Sequence, residues 1–218
     1  MGKVIAIDGP SGAGKGTIAK LLAGELGFSY LDTGALYRAV ALALREKGIK
    51  PEDSDEKLKN TLSVTDVSFK NGKVSLNGKD VSEEIRTTEM GHYSSVFSAR
   101  KIVRDFLLEI QRNASHHSDL VAEGRDMTTV VFPNAWKKFY LDASVEERAK
   151  RRYLQLKEKG INITESEARK DVVERDARDS GRDIAPLRKA DDAVLIDSSS
   201  MTINKVLENI LKVVRTGH

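Results

Sequence analysis

One stretch narrows the possible folds more than any other: Gly9-Pro10-Ser11-Gly12-Ala13-Gly14-Lys15-Gly16-Thr17. It follows a short apolar run, Val4-Ile5-Ala6-Ile7, and opens onto helical spacing at Ile18, Leu21, Leu22 and Leu26, stopped by Gly27. A strand, a glycine-rich loop, a lysine, a hydroxyl and a helix, in that order, build a cradle for phosphate. Glycines let backbone N–H groups converge on phosphate oxygens without side-chain clash. The helix N-terminus adds free donors and partial positive charge. Lys15 can then reach the terminal phosphates as a point charge. The common pattern places Ser or Thr directly after the lysine; here Gly16 intervenes before Thr17. Direct ligation of Mg²⁺ by the Thr17 hydroxyl is less secure for that reason.

The 218 residues allow one sizeable α/β domain, with room for inserts. A net charge of +3 is too small to imply nucleic acid, but it suits small anions if the cations cluster. The absence of cysteine excludes disulfides and thiolate metal sites. No apolar run approaches transmembrane length, and no signal peptide precedes the glycine loop. The expectation is a soluble, cytoplasmic protein with no membrane and no nucleic-acid partner.

Five apolar runs end in an acid followed by small residues: Ile5-Ala6-Ile7-Asp8, Phe28-Ser29-Tyr30-Leu31-Asp32, Leu120-Val121-Ala122-Glu123, Phe139-Tyr140-Leu141-Asp142 and Val194-Leu195-Ile196-Asp197. Helical spacing separates most of them, as at Leu36, Val40 and Leu44, or at Val206, Ile210 and Val214. The alternation predicts a mostly parallel sheet between helices, with ligands at the carboxyl ends of the strands. Two segments break the pattern. Val64 to Val81 alternates apolar and polar, and Asn71-Gly72 and Asn77-Gly78 favour φ > 0 hairpin turns. It reads as a small antiparallel insert of about three strands. Ser144 to Asp183 is dense in charge; Ser144 with Glu147, and Thr164 with Glu167, predict capping boxes opening two helices, the first ended by Gly160.

The cations are ambiguous one at a time. Arg38 lies early in the helix after Asp32 and could grip a phosphate bidentately, yet a surface arginine fits the spacing equally well. Arg125 and Asp126 at a strand end could simply neutralise each other. Arg175, Asp179 and Arg182 share one helical face, with Arg178 pointing elsewhere, and Arg148, Arg151 and Arg152 form a second cluster. Trp136 beside Phe132 and Phe139 reads as packing. No histidine pair has metal-ligand spacing and no metal-ligating residue is assigned.

The loop form Gly-x-x-Gly-x-Gly-Lys-Gly-Thr resembles that of nucleoside monophosphate kinases. Leu31-Asp32-Thr33-Gly34-Ala35-Leu36-Tyr37-Arg38, Gly78-Lys79-Asp80-Val81-Ser82-Glu83-Glu84-Ile85-Arg86-Thr87, Gly124-Arg125-Asp126-Met127, Thr129-Val130-Val131-Phe132-Pro133, Leu141-Asp142-Ala143-Ser144 and Ala185-Pro186-Leu187 narrow the likeness. Together, and in order over nearly the whole chain, they resemble bacterial cytidylate kinases.

That resemblance implies a three-layer α/β P-loop kinase fold over residues 1–218. Its five-stranded parallel sheet is ordered 2-3-1-4-5. It also implies a CMP-binding insert whose β-rich part spans about 62–90 and a helical lid at about 146–182. It implies ATP as phosphoryl donor with Mg²⁺, CMP or dCMP as substrate, and a monomer. Gly9, Pro10, Ser11, Gly12, Ala13, Gly14, Lys15, Gly16 and Thr17 would cradle ATP, and Arg151 and Arg152 would belong to the lid. Arg38, Arg125 and Arg182 would hold the CMP phosphate or the transferring group, with Lys15, Arg125 and Arg182 as the catalytic cations. Arg175 and Asp179 would face the sugar and the neighbouring phosphate, and Ser95, Arg104 and Asp126 would read cytosine. Thr33 and Tyr37 fall in the same substrate-binding motif. Two positions depart from the family pattern: Thr33 stands where serine is frequent, and Thr128 replaces a glycine after Gly-Arg-Asp-Met. A kinase for UMP or dTMP, and a nucleotide-dependent switch, are the competing readings.

Overall fold

Residues 2–216 are described by a computed structural model. The first strand, β1 (Val4–Asp8), is buried at all five positions, as its unbroken apolar run requires of a central strand covered on both faces. After it come α1 (Lys15–Leu26), β2 (Ser29–Asp32), α2 (Thr33–Glu46) and α3 (Asp55–Leu62). Three short strands follow, β3 (Val67–Lys70), β4 (Lys73–Leu76) and β5 (Lys79–Asp80), then α4 (Thr88–Phe97) and α5 (Lys101–Asn113). The chain returns through β6 (Leu120–Gly124), β7 (Lys137–Asp142), α6 (Val145–Glu158), α7 (Glu165–Gly181), β8 (Val194–Asp197) and α8 (Ile203–Arg215).

Five strands form one parallel sheet in the order β2-β6-β1-β7-β8. Counted among themselves, these strands run 2-3-1-4-5, the expected order. Because strand side chains alternate, β1 feeds two cores. Val4 and Ala6 join Leu31, Leu120 and Ala122 under α2, α3 and α5. Ile5 and Ile7 join Val121, Phe139 and Leu141 under α1 and α8. The edge strands β2 and β8 are the least buried of the five.

The antiparallel insert is present as a three-stranded sheet, β3-β4-β5. Both predicted turns are two-residue hairpin loops with positive φ: Asn71 at 53° and Gly72 at 76°, Asn77 at 50° and Gly78 at 82°. The insert's apolar residues Val67, Val74 and Leu76 share the core beneath α2. Thr164 and Glu167 make the full capping box of α7, whereas Ser144 caps α6 only through the Glu147 amide. The pair α6 and α7 pack on each other outside the two main cores and bury Ala149, Leu156, Ala168 and Val172. Trp136 corrects an expectation: it is 40% exposed, with Lys3 Nζ 4.7 Å from its ring. Its neighbours Phe132 and Phe139 are buried.

Candidate active site

The carboxyl ends of the parallel strands open into one cleft of about 1230 Å³. One wall of it is the glycine loop. A Cβ at Gly9 would stand 2.0 Å from the Leu141 carbonyl oxygen, so only glycine lets the loop leave β1 there. Gly12 has φ +78° and lies against the first turn of α6, where a Cβ would meet the Arg148 carbonyl oxygen at 2.8 Å. Residues Ser11 to Thr17 line the cleft, whereas Gly9 and Pro10 lie outside the lining. Pro10 contributes its carbonyl, which accepts from Lys15 Nζ at 2.8 Å. Lys15 is 5% exposed. Burial, then the neighbouring Arg125, pushes its pKa down to about 7.

Arginines crowd the opposite wall. Arg38, on α2, donates through Nη1 to the carbonyls of Ile85 (3.0 Å) and Thr87 (3.1 Å). Thr33 Oγ1 donates to the Glu123 carbonyl at 2.7 Å, joining α2 to the end of β6. Arg125 Nε donates to Asp179 Oδ2 at 2.8 Å. Arg175 Nε and Arg182 Nη1 both lie 3.9 Å from Asp179. Burial works against Asp179's charge, but Arg125 and Arg175 hold its carboxyl below the ordinary range. Burial and then Arg125 push Arg175 down; because a guanidinium does not give up its proton in a protein, this crowding becomes affinity for an anion. Arg175 Nε and Arg182 Nη2 are buried without a hydrogen-bond partner. Such orphaned donors fit a ligand of phosphate type.

Deeper in, Arg104 and Asp126 form a buried ion pair. Arg104 Nη1 also donates to the Ser98 carbonyl at 3.1 Å, and the Tyr37 ring lies 5.5 Å from its guanidinium carbon. The second Asp126 oxygen, Oδ1, is 4.0 Å from Arg182 Nη2, outside hydrogen-bonding distance. Ser95 lines the same recess. Its hydroxyl accepts from Arg178 Nε at 3.2 Å, so Arg178 is drawn to the site wall rather than away from it as its helical position suggested.

Arg151 and Arg152 line the cleft but divide. Arg151 donates to the Ser198 hydroxyl (3.0 Å) and carbonyl (2.7 Å), and Arg152 donates to Asp171 at 2.9 Å. Arg148 departs from that cluster: it is buried, paired with Asp176, and holds the Ala143 and Ser11 carbonyls. Sequence reasoning missed three features of the cleft. The loop Ser198 to Thr202, with Ile203 and Val206, extends it beyond Lys15. Arg86 and Lys159 line its rim. Glu123 stands at the start of α1, where a Cβ on Gly16 would be 3.4 Å from Glu123 Oε1. Burial and then Asp32 push the Glu123 carboxyl up. Both acids were visible as the last residues of strand-like runs.

No group of three or more His, Cys, Asp or Glu could hold a metal ion by itself among the described residues. Mg²⁺ held largely by phosphates and water needs only one or two carboxylates, and Glu123 and Asp32 beside the glycine loop fit that donor set.

A family model for cytidylate kinase matches residues 5–216. The chain is 52% identical to a cytidylate kinase of Thermodesulfovibrio yellowstonii, covering 97% of each chain. It is 50% identical to one of Geobacter sulfurreducens, covering 98% of this chain and 93% of that one. A crystal structure of an uncharacterized protein from Eubacterium ventriosum is similar with a TM-score of 0.54 over 99% of both chains. At 13% identity that likeness concerns the fold alone. The whole-length family match and the two near-full-length relatives agree: this chain belongs to the cytidylate kinase family.

Proposed function

We infer that this protein transfers the γ-phosphoryl group of ATP to CMP or dCMP, giving ADP and CDP or dCDP, as a step of pyrimidine nucleotide metabolism. One observation carries the reading: a single cleft joins the glycine loop to a wall of arginines with an Arg104–Asp126 recess behind it. Two polyanions can meet there, one at each wall. A phosphate oxygen of the acceptor attacks the γ-phosphorus, the bond to the β,γ-bridging oxygen breaks, and ADP leaves. The attacking oxygen is already anionic near neutral pH, so the step needs alignment and charge neutralisation more than a general base.

Gly12 to Thr17 offer amides to the triphosphate, the Ser11 amide being taken by Asp176 Oδ1 at 3.0 Å, and the Ser198–Thr202 loop borders the space beyond for the donor base. Lys15, Arg125 and Arg182 offset charge on the transferring group, while Arg38 holds the acceptor phosphate. Mg²⁺ would supply further neutralisation, with Thr17, Glu123 and Asp32 as the groups that hold it. Residues 62–90 serve as the β-rich part of the acceptor-binding insert and residues 146–182 as the lid that excludes water. Among the described residues no helix is long and apolar enough to cross a membrane. A monomer working in the cytoplasm completes the reading.

Asp126 and Arg104 give the preference for cytosine a chemical basis. Asp126 can accept from the N4 amino group, and Arg104 can donate to O2 and N3. Uracil would set an acceptor against Asp126 Oδ1 and leave that oxygen without a donor, Oδ2 being held by Arg104. An acceptor panel in a coupled ADP assay tests this, with CMP and dCMP expected to exceed UMP about 100-fold in kcat/KM. Equal use of UMP or dTMP would overturn the assignment. Asp126→Asn is expected to shrink the CMP-to-UMP ratio about tenfold or more; an unchanged ratio removes Asp126 from base recognition.

Lys15 adds a proton-linked signature. Near pH 8 the free enzyme holds Lys15 mostly neutral, given its value of about 7. A bound triphosphate restores the charged form, so binding takes up a proton. Calorimetry in buffers of different ionisation enthalpy should show uptake approaching about one proton near pH 8 and falling toward zero near pH 6. A buffer-independent heat near pH 8 would contradict it.

A further inference from the structure

We propose that Asp8 and Thr128 form a buried clamp that positions Asp126, and thereby tunes the choice between cytosine and uracil. The inference rests on the reading that Asp126 receives the cytosine amino group.

Asp8 ends β1, immediately before the glycine loop, and is fully buried. It is not among the residues that line the cleft. Lys15 acts on it through space, with no ion pair to Asp8 among the described residues. Instead its carboxylate accepts three hydrogen bonds from one turn. Oδ1 takes the Met127 amide at 2.9 Å; Oδ2 takes the Thr128 amide at 2.7 Å and the Thr128 hydroxyl at 2.6 Å. These are the two residues directly after Asp126.

The turn is held from its other side as well. The Asp126 carbonyl accepts from the amides of Val130 (2.9 Å) and Val131 (3.1 Å), which closes the wide turn Met127–Val131. Asp126 thus has its own carbonyl and the next two amides fixed, while its side chain projects to Arg104. A carboxylate buried without a direct ion-pair partner costs stability unless its hydrogen bonds are well made. The three bonds offset part of that cost, burial still pushing the Asp8 carboxyl up to about 6, and they hold Asp126 at a set distance from the end of β1. In a site that discriminates by one hydrogen bond, a small displacement of the acceptor weakens the correct base more than the wrong one. The Thr128 hydroxyl is the distinctive part. With glycine there the turn would keep its two amide bonds and lose the third.

The same chain of contacts ties the two walls of the cleft together. Asp8 leads into Gly9 and the donor loop; Thr128 follows the acceptor-side Arg125 and Asp126. Asp8 and Thr128 are therefore positioning residues, acting through Asp126 without touching either nucleotide.

Thr128→Val keeps the shape and deletes the hydroxyl; Thr128→Ser keeps the hydroxyl. Steady-state kcat/KM would be measured for CMP and UMP at saturating ATP, with Asp126→Asn in parallel. Thr128→Val is expected to lower the CMP-to-UMP ratio about fivefold, with KM for ATP within about twofold and Thr128→Ser close to the parent. A purely structural role would lower the melting temperature and leave the ratio alone. If Asp126→Asn lowers the ratio and Thr128→Val does not, the clamp is overturned and the base assignment stands. If neither lowers it, both fail. Should Thr128→Val not fold, Thr128→Gly, which retains both amide bonds, serves in its place. A ratio equal to the parent's in that variant overturns the clamp.

Discussion

Lys15→Met is expected to lower kcat by about two to three orders of magnitude, the usual effect of removing one preorganised charge from a developing anion. KM for CMP should move only a few-fold, because the acceptor wall is built from other residues. The physical cause lies in where Lys15 sits. Its ammonium is almost fully buried, bonded to the Pro10 carbonyl at 2.8 Å and close to Arg125 and Arg175. A charge so placed is poorly solvated in the free protein and strongly drawn to phosphate oxygens. The same placement makes it a burden on folding. Between about pH 7 and the ordinary lysine value of 10.5, the unfolded chain holds a proton that the folded one has released. Stability contributed at this position therefore rises with pH across that window. Methionine has similar length and no charge to desolvate, so the variant should melt at or above the parent temperature near neutral pH and lose that pH dependence. Steady-state kinetics beside thermal melts would read both effects. A variant with kcat within tenfold of the parent would take Lys15 out of the chemistry.

How much of this site could be read from the chain depended on how local its physics was. The glycine loop needs positive φ and close approach at fixed spacing, so its residue types expose it directly. The hairpin insert was equally plain, since Asn71-Gly72 and Asn77-Gly78 are short-range turn chemistry. The unbroken burial of β1 follows from its run, whereas the equally apolar Val194-Leu195-Ile196 of β8 sits at the sheet edge with Val194 and Leu195 exposed. What stayed hidden were pairings set by tertiary approach. Arg148, Arg151 and Arg152 are neighbours in sequence, yet one is locked to Asp176, one to Ser198 and one to Asp171. Helical phase put Arg178 off the face of Arg175 and Arg182, but α4 packs close enough for it to reach Ser95. Glu123 and Asp32 were read as strand ends because that role explained them fully. The bond between Asp8 and Thr128 spans 120 positions and leaves no local trace. The assignment to CMP came from the order of whole motifs, since no single arginine carried it.

Arg38→Ala is expected to cut kcat/KM for CMP by about two to three orders of magnitude while KM for ATP stays within about threefold. Arg38 is half-buried, and burial, with Arg152, Arg86 and Arg125 nearby, works against its charge more than Asp32 supports it. Its Nη1 is spent on the Ile85 and Thr87 carbonyls, which aim the guanidinium from α2 into the cleft. No carboxylate lies within ion-pair distance of it among the described residues. A cation oriented by neutral carbonyls, with Asp32 acting only from beyond ion-pair distance, is completed by an anion, and a phosphate dianion matches its fork. Removing it costs the acceptor its grip in both ground and transition states, whereas the triphosphate keeps Lys15 and the loop amides. Arg38→Lys separates charge from geometry: if the fork matters, lysine restores only a small part of the loss. Losing the two carbonyl bonds should cost the fold about 1–2 kcal/mol, so melting temperatures must accompany the kinetics. Equal damage to ATP and CMP would place Arg38 between the substrates rather than on the acceptor. Unchanged CMP kinetics would mean that the acceptor phosphate rests on Arg125, Arg175 and Arg182 alone.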